Sequence, residues 1–163
     1  ILRWGLVAAA ALLLGLTLPN PQAADTVTSY TSTGYYIGIP YPGDTLAFAP
    51  DNVQVRNMLS LYRVQSTDAR LTGRRTALTH GYYRADGSGT IYGTMNEQVG
   101  TWDLTDPLNP KFTATAGLWD GSWQGLWQPD GSYQIKILGR GTGGDVGGLE
   151  MSETAPRGPG GID

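Results

Sequence analysis

The chain has no cysteine, a single histidine and only two phenylalanines among 163 residues. Without cysteine there are no disulfides, no thiolate metal sites and no lipid-anchoring cysteine. One histidine, His80, excludes a histidine-based metal cluster. Runs of positive charge are missing too. Eleven basic residues stand against 14 acidic ones, and only Arg74 and Arg75 are adjacent. Nothing resembles the basic stripe that neutralises phosphates, so nucleic acid is not an expected partner. Gly141-Thr142-Gly143-Gly144 lacks both the Lys-Ser/Thr and the helix of a phosphate loop, and it reads as a bent strand connection. No cofactor is expected. After residue 24 no stretch carries a sustained helical stripe, which excludes a helix bundle.

What is present is alternation. Trp119, Gly121, Trp123, Gly125 and Trp127 occupy every second position, with Asp120, Ser122, Gln124 and Leu126 between them. Side chains on a strand alternate between faces, so the three indoles share one side. A helix would also accept the spacing of four, but Gly121 and Gly125 would each cost it about 1 kcal/mol, and Pro129-Asp130-Gly131 ends the run as a turn. Tyr133, Ile135 and Ile137 then alternate with Gln134 and Lys136 in a second strand.

Gln128-Pro129-Asp130-Gly131-Ser132 suits a three-residue hairpin loop with Gly131 in the left-handed region. Gln128 then faces Ser132, and the register pairs Trp127 with Tyr133, Gly125 with Ile135 and Trp123 with Ile137. Arg84-Ala85-Asp86-Gly87-Ser88 repeats the pattern and predicts another hairpin. Candidate strands are residues 26–33, 45–49, 53–65, 76–84, 90–95, 99–105, 111–116, 119–128, 132–139 and 148–153, with residues 38–44 as a loop. Residues 57–62 fit a strand better than a helical turn. Phe112, Ala114, Ala116 and Leu118 are even-numbered while the tryptophans are odd, which predicts a break or bulge near Gly117 and a change of apolar face there.

Trp4 to Leu18 is an apolar run preceded by Arg3 and followed by Pro19. It matches the central region of a secretory signal peptide and is short for a membrane span. A buried or membrane-anchoring helix is the competing reading of this run. The expected organisation is a signal peptide at 1–24 lying outside the core, a β-barrel domain at 25–154 and a disordered tail at 155–163. Export without disulfides points to a bacterial periplasm or exterior, with no membrane contact in the mature form.

Gly117-Leu118-Trp119-Asp120-Gly121-Ser122-Trp123 resembles a glycine-aromatic segment of the allene oxide cyclases and dirigent proteins. Gly87 to Gly93, Lys111 to Ala116 and the glycine-rich Gly139 to Glu150 resemble neighbouring parts of that family and of its small bacterial relatives. The likeness covers about the last half of the chain. It implies an all-β fold, an antiparallel eight-stranded barrel, and, by resemblance only, a homotrimer. The family's paired glycines before the aromatic are replaced by Thr115-Ala116, and none of its catalytic residues finds a counterpart.

Function is therefore read from the aromatics. Trp102, Trp119, Trp123, Trp127 and Tyr133 are the candidate ligand-binding residues, lining a cavity or mouth for a small hydrophobic or carbohydrate ligand without catalysis. The opposing reading makes the indoles a packed core or a subunit interface. Three further functions fit the same pattern: a cyclase or isomerase acting on a hydrophobic intermediate, a surface-structural or adhesive subunit, and a periplasmic inhibitor or chaperone. Asp103, Asp120, Glu97 and Glu150 are read as solvated carboxylates, His80 as a partly exposed strand residue opposite Tyr92, and Ser88 and Ser122 as lacking a base.

Overall fold

The computed structural model describes residues 26–48 and 50–157, so the expected signal peptide and residues 158–163 of the expected tail lie outside the described residues. The fold is all-β: β1 (Ser32–Tyr41), β2 (Asp44–Phe48), β3 (Asn52–Ser66), β4 (Gly73–Tyr83), β5 (Gly89–Asp103), β6 (Lys111–Trp127), β7 (Tyr133–Gly143) and β8 (Glu150–Arg157), with short 3-10 turns at Ala69–Leu71 and Gly144–Val146. All eight strands belong to one sheet, and every pairing is antiparallel.

The two Asp-Gly hairpins form as the sequence predicts. Gly87 and Gly131 have φ of 83° and 82°, and Asp86 and Asp130 each accept the backbone N–H two residues on at 2.8 Å. Hydrogen bonds from the Ser88 and Ser132 side chains, and then these backbone bonds, hold both carboxyls below the usual aspartate range. The expected pairs Trp127–Tyr133, Gly125–Ile135 and Trp123–Ile137 are all present. An added Cβ at Gly131 meets nothing within 4 Å. Gly131→Ala therefore suffers only the left-handed backbone penalty, and a loss of about 1–2 kcal/mol is expected by urea denaturation.

Boundaries differ from expectation in several places. Residues 26–31 precede β1 and lie outside any strand, and β1 continues through the expected loop to Tyr41, its edge position tolerating Pro40. The segments around Met95–Val99 and Ala116–Trp119 belong to single long strands, β5 and β6. Near Gly117 a bulge does occur: the register steps from Gln98–Leu118 to Gly100–Ala114, so Thr115, Ala116 and Gly117 lie opposite Val99. Two extra residues preserve parity, so Phe112 lies on the side of the sheet opposite Trp119, and the apolar face changes there as the sequence predicts. Finally, Ala155–Arg157 are not a tail but pair with Tyr133–Ile135.

The expected closed barrel is also corrected. β1 and β2 both pair with β3, on successive stretches of it, so they share one position at the sheet's edge. The path β1-β3-β4-β5-β6-β7-β8 contains six antiparallel steps, which leaves β1 and β8 running the same way. No ladder joins them, and the sheet is not closed. It is nevertheless strongly curled. Six steps of about 4.8 Å would hold the edges about 29 Å apart in a flat sheet, yet Ser32 Oγ donates to Glu153 Oε1 at 2.9 Å and Tyr30 Oη to the Ser152 carbonyl at 3.1 Å. Side chains fasten the seam.

One end of the concave face is filled by Leu71, Met95, Val99, Trp119, Val146 and Met151, with Tyr30, Trp123 and Ile137 packed against them. The opposite end carries the two hairpin loops, where Gly87 lies close to Pro129.

Candidate functional site

Strand alternation sends Trp119, Trp123 and Trp127 to the concave face, with Tyr133 beside Trp127. Their roles there differ. Trp119 is 2% exposed and donates its indole N–H to the Arg70 carbonyl at 2.7 Å, so it is a core residue that anchors the Ala69–Leu71 turn. Trp123 is half-buried over Gly93, and its indole nitrogen is buried without a partner. Trp127 stacks on Tyr133 with ring centroids 4.6 Å apart. Both rings are half-buried at the hairpin end.

Trp102 is elsewhere. It pairs with Phe112, donates to the Gly73 carbonyl at 2.9 Å, and shares its side of the sheet with Gln98 and with Arg74, which lies over the Phe112 ring. That is the convex side. Trp127 pairs with Gly89, so Trp102 is 13 positions along β5 from that pairing, on the order of 40 Å at strand spacing. The structure therefore brings together Trp123, Trp127 and Tyr133 and leaves Trp102 out.

The concave face is open toward the hairpin end. Tyr36 points inward, edge-on to Tyr62 at 5.8 Å, and is still 56% exposed. Between this mouth and the packed end lies a charged cluster, where the sequence predicts solvated carboxylates. Glu97 is 0% exposed, and its Oε2 lies 2.6 Å from Arg75 Nε. Arg75 Nη2 also lies 3.0 Å from Glu153 Oε2 in a second ion pair. In a flat sheet β4 and β8 would be about 19 Å apart, so the curl creates this contact. The side chains of Arg75 and Glu153 are only 11% and 9% exposed.

Two carboxylates thus share one guanidinium in a buried setting. Burial pushes the Glu97 carboxyl above the usual glutamate range, against the opposing pull of Arg75. Burial, and then the Glu153 charge, push the Tyr30 hydroxyl up to about 12. Tyr62, paired with Arg75 in the ladder, is raised by burial as well. Glu97 Oε1 is buried without a hydrogen-bond partner. Chemically, the cluster can accept a hydrogen bond through Glu97 when ionised or donate one when protonated.

The remaining candidates stay peripheral. Asp120 accepts from Asn96 at 2.7 Å and Thr142 at 3.2 Å on the convex side. Asp103 is exposed and bound to Thr105, and Glu150 is exposed. His80 stacks on Tyr92, its expected neighbour, at 5.3 Å. Ser88 is held by Arg84 within its turn, and Ser122 is on the same face as Asp120. Among the described residues no group of three or more His, Cys, Asp or Glu side chains is arranged to hold a metal ion. No family model, curated protein or solved structure matches the chain.

Proposed function

We propose that the protein binds a small molecule, without catalysis, on the concave face between the Trp127–Tyr133 stack and the Arg75–Glu97–Glu153 cluster. One observation carries the reading: this face buries a carboxylate oxygen of Glu97 and the indole N–H of Trp123, both unpartnered. A buried polar group without a hydrogen bond costs about 1–3 kcal/mol, and a ligand bearing a donor and an acceptor removes that penalty. Flat rings at the mouth suit the apolar body or sugar ring of such a ligand. Export through residues 1–24 to a periplasm or exterior belongs to the same proposal. So does kinship with the allene oxide cyclases and dirigent proteins, supported by the Gly117–Trp123 segment and the all-antiparallel sheet. A trimer rests on that kinship alone.

Intrinsic tryptophan fluorescence tests the reading against a panel of saccharides and small apolar alcohols, ketones and amines. The expected result is a saturable emission shift whose amplitude falls in Trp123→Phe and persists in Trp102→Phe. Unchanged emission across the panel, with no calorimetric heat, would overturn it.

A cyclase or isomerase is the second reading, favoured by the buried Glu97 carboxyl with its raised proton affinity. Turnover lost in Glu97→Gln but kept in Glu150→Gln and Asp120→Asn would favour this over simple binding.

A further inference from the structure

The charges on the concave face do not balance. Glu97 and Glu153 supply two negative charges and Arg75 one positive charge, all on side chains at most 11% exposed. An uncompensated buried charge is strongly unfavourable, so the cluster takes up either a proton or a cation. The groups facing Glu97 across the interior are Arg75 from β4 and Glu153 from β8. Tyr30, before β1, and Tyr62, from β3, face the same charges with neutral hydroxyls. None of these supplies the missing positive charge.

From this imbalance and the unpartnered Glu97 Oε1 we infer that the ligand is a small organic cation, an ammonium whose N–H donates to Glu97 and whose apolar body lies against the aromatic mouth. The inference rests on the binding role proposed above and specifies its ligand class. An ammonium supplies two of the things the site lacks: a donor for the free carboxylate oxygen and one unit of positive charge. A neutral alcohol supplies only the donor. A carboxylate ligand adds to the excess. Two carboxylates flanking a guanidinium form a poor cage for a metal ion, which takes more oxygen ligands and is repelled by Arg75. The rings on the same face, Tyr36, Tyr62, Trp123 and Trp127, carry π-faces that favour an organic cation over a hydrated one.

Matched trios of probes test this by isothermal titration calorimetry: 2-phenylethylammonium, 2-phenylethanol and phenylacetate, and the three cyclohexyl counterparts. The ammonium members are expected to bind at least about tenfold more tightly than the alcohols, with the carboxylates weakest. In Glu97→Gln, with far-UV circular dichroism confirming the fold, the ammonium preference is expected to collapse to about twofold or less. Equal affinity for alcohol and ammonium in the unmodified protein would overturn the cation assignment while leaving the binding role intact. No binding by any member of either trio at about 10 mM would overturn both.

Discussion

Arg75→Met is expected to lower the unfolding free energy by about 3–5 kcal/mol at neutral pH. The cause is what it leaves behind. Glu97 and Glu153 would face each other in the interior without the guanidinium that holds both. A domain of this size has a total stability of about 5–15 kcal/mol, so the variant sits near the edge of folding. Urea denaturation followed by far-UV circular dichroism measures the loss. Glu97→Gln moves the other way, because it removes the excess charge and keeps the shape. Its pH dependence is also distinctive. The folded Glu97 carboxyl is raised above its ordinary value of 4.5, so between that value and the raised one the native state binds more protons than the unfolded chain. Stability contributed by this group falls as pH rises through that window, and the glutamine variant loses the slope. A tolerant Arg75→Met would show that the cluster does not govern the interior.

Trp119→Ala is the second large effect, a loss of about 3–5 kcal/mol in the same measurement. The indole fills the space among Leu71, Met95, Val99, Val146 and Met151, and its N–H holds the Arg70 carbonyl. Truncation therefore opens a cavity and releases the turn at Ala69–Leu71 that caps this end of the sheet. Trp119→Phe separates the two contributions, since it keeps most of the volume and removes only the hydrogen bond. It is expected to lose about 1–3 kcal/mol. A mild Trp119→Ala would mean that the packed end is not where the curl is held. Trp127→Ala, at the open end, lacks such enclosure and is expected to unfold the protein far less.

Local information explains what the sequence reveals. The Trp119–Trp127 alternation, the Asp130–Gly131 loop and the register from Trp127–Tyr133 to Trp123–Ile137 all follow from neighbours within about 20 residues. The buried cluster does not. Dividing β5 at residues 96–98 hides that Glu97 shares its face with Met95 and Val99, and starting the preceding strand at residue 76 leaves out Arg75, which shares its face with Ala77. Taken as one strand, residues 89–103 place Glu97 inward by parity alone, and that parity is the signal for it in the sequence. Glu153 carries no such mark, because its contact with Arg75 exists only once distant strands curl together. Trp119 shows the limit of alternation, which identifies a face without saying how deeply each position on it is enclosed. Trp102 shows another, since an indole on a strand carries no mark of which side of the sheet becomes concave.

The parallel run of β1 and β8 governs how this molecule can change its girth. Among the described residues, Ser32, Tyr30 and Arg75 reach Ser152 and Glu153 across the seam by side chains and no ladder joins the two edges, so the hoop can be parted there while every main-chain ladder stays whole. Glu153 sits on the clasp and on the charged cluster at once, so the seam and the interior charges are joined through one side chain.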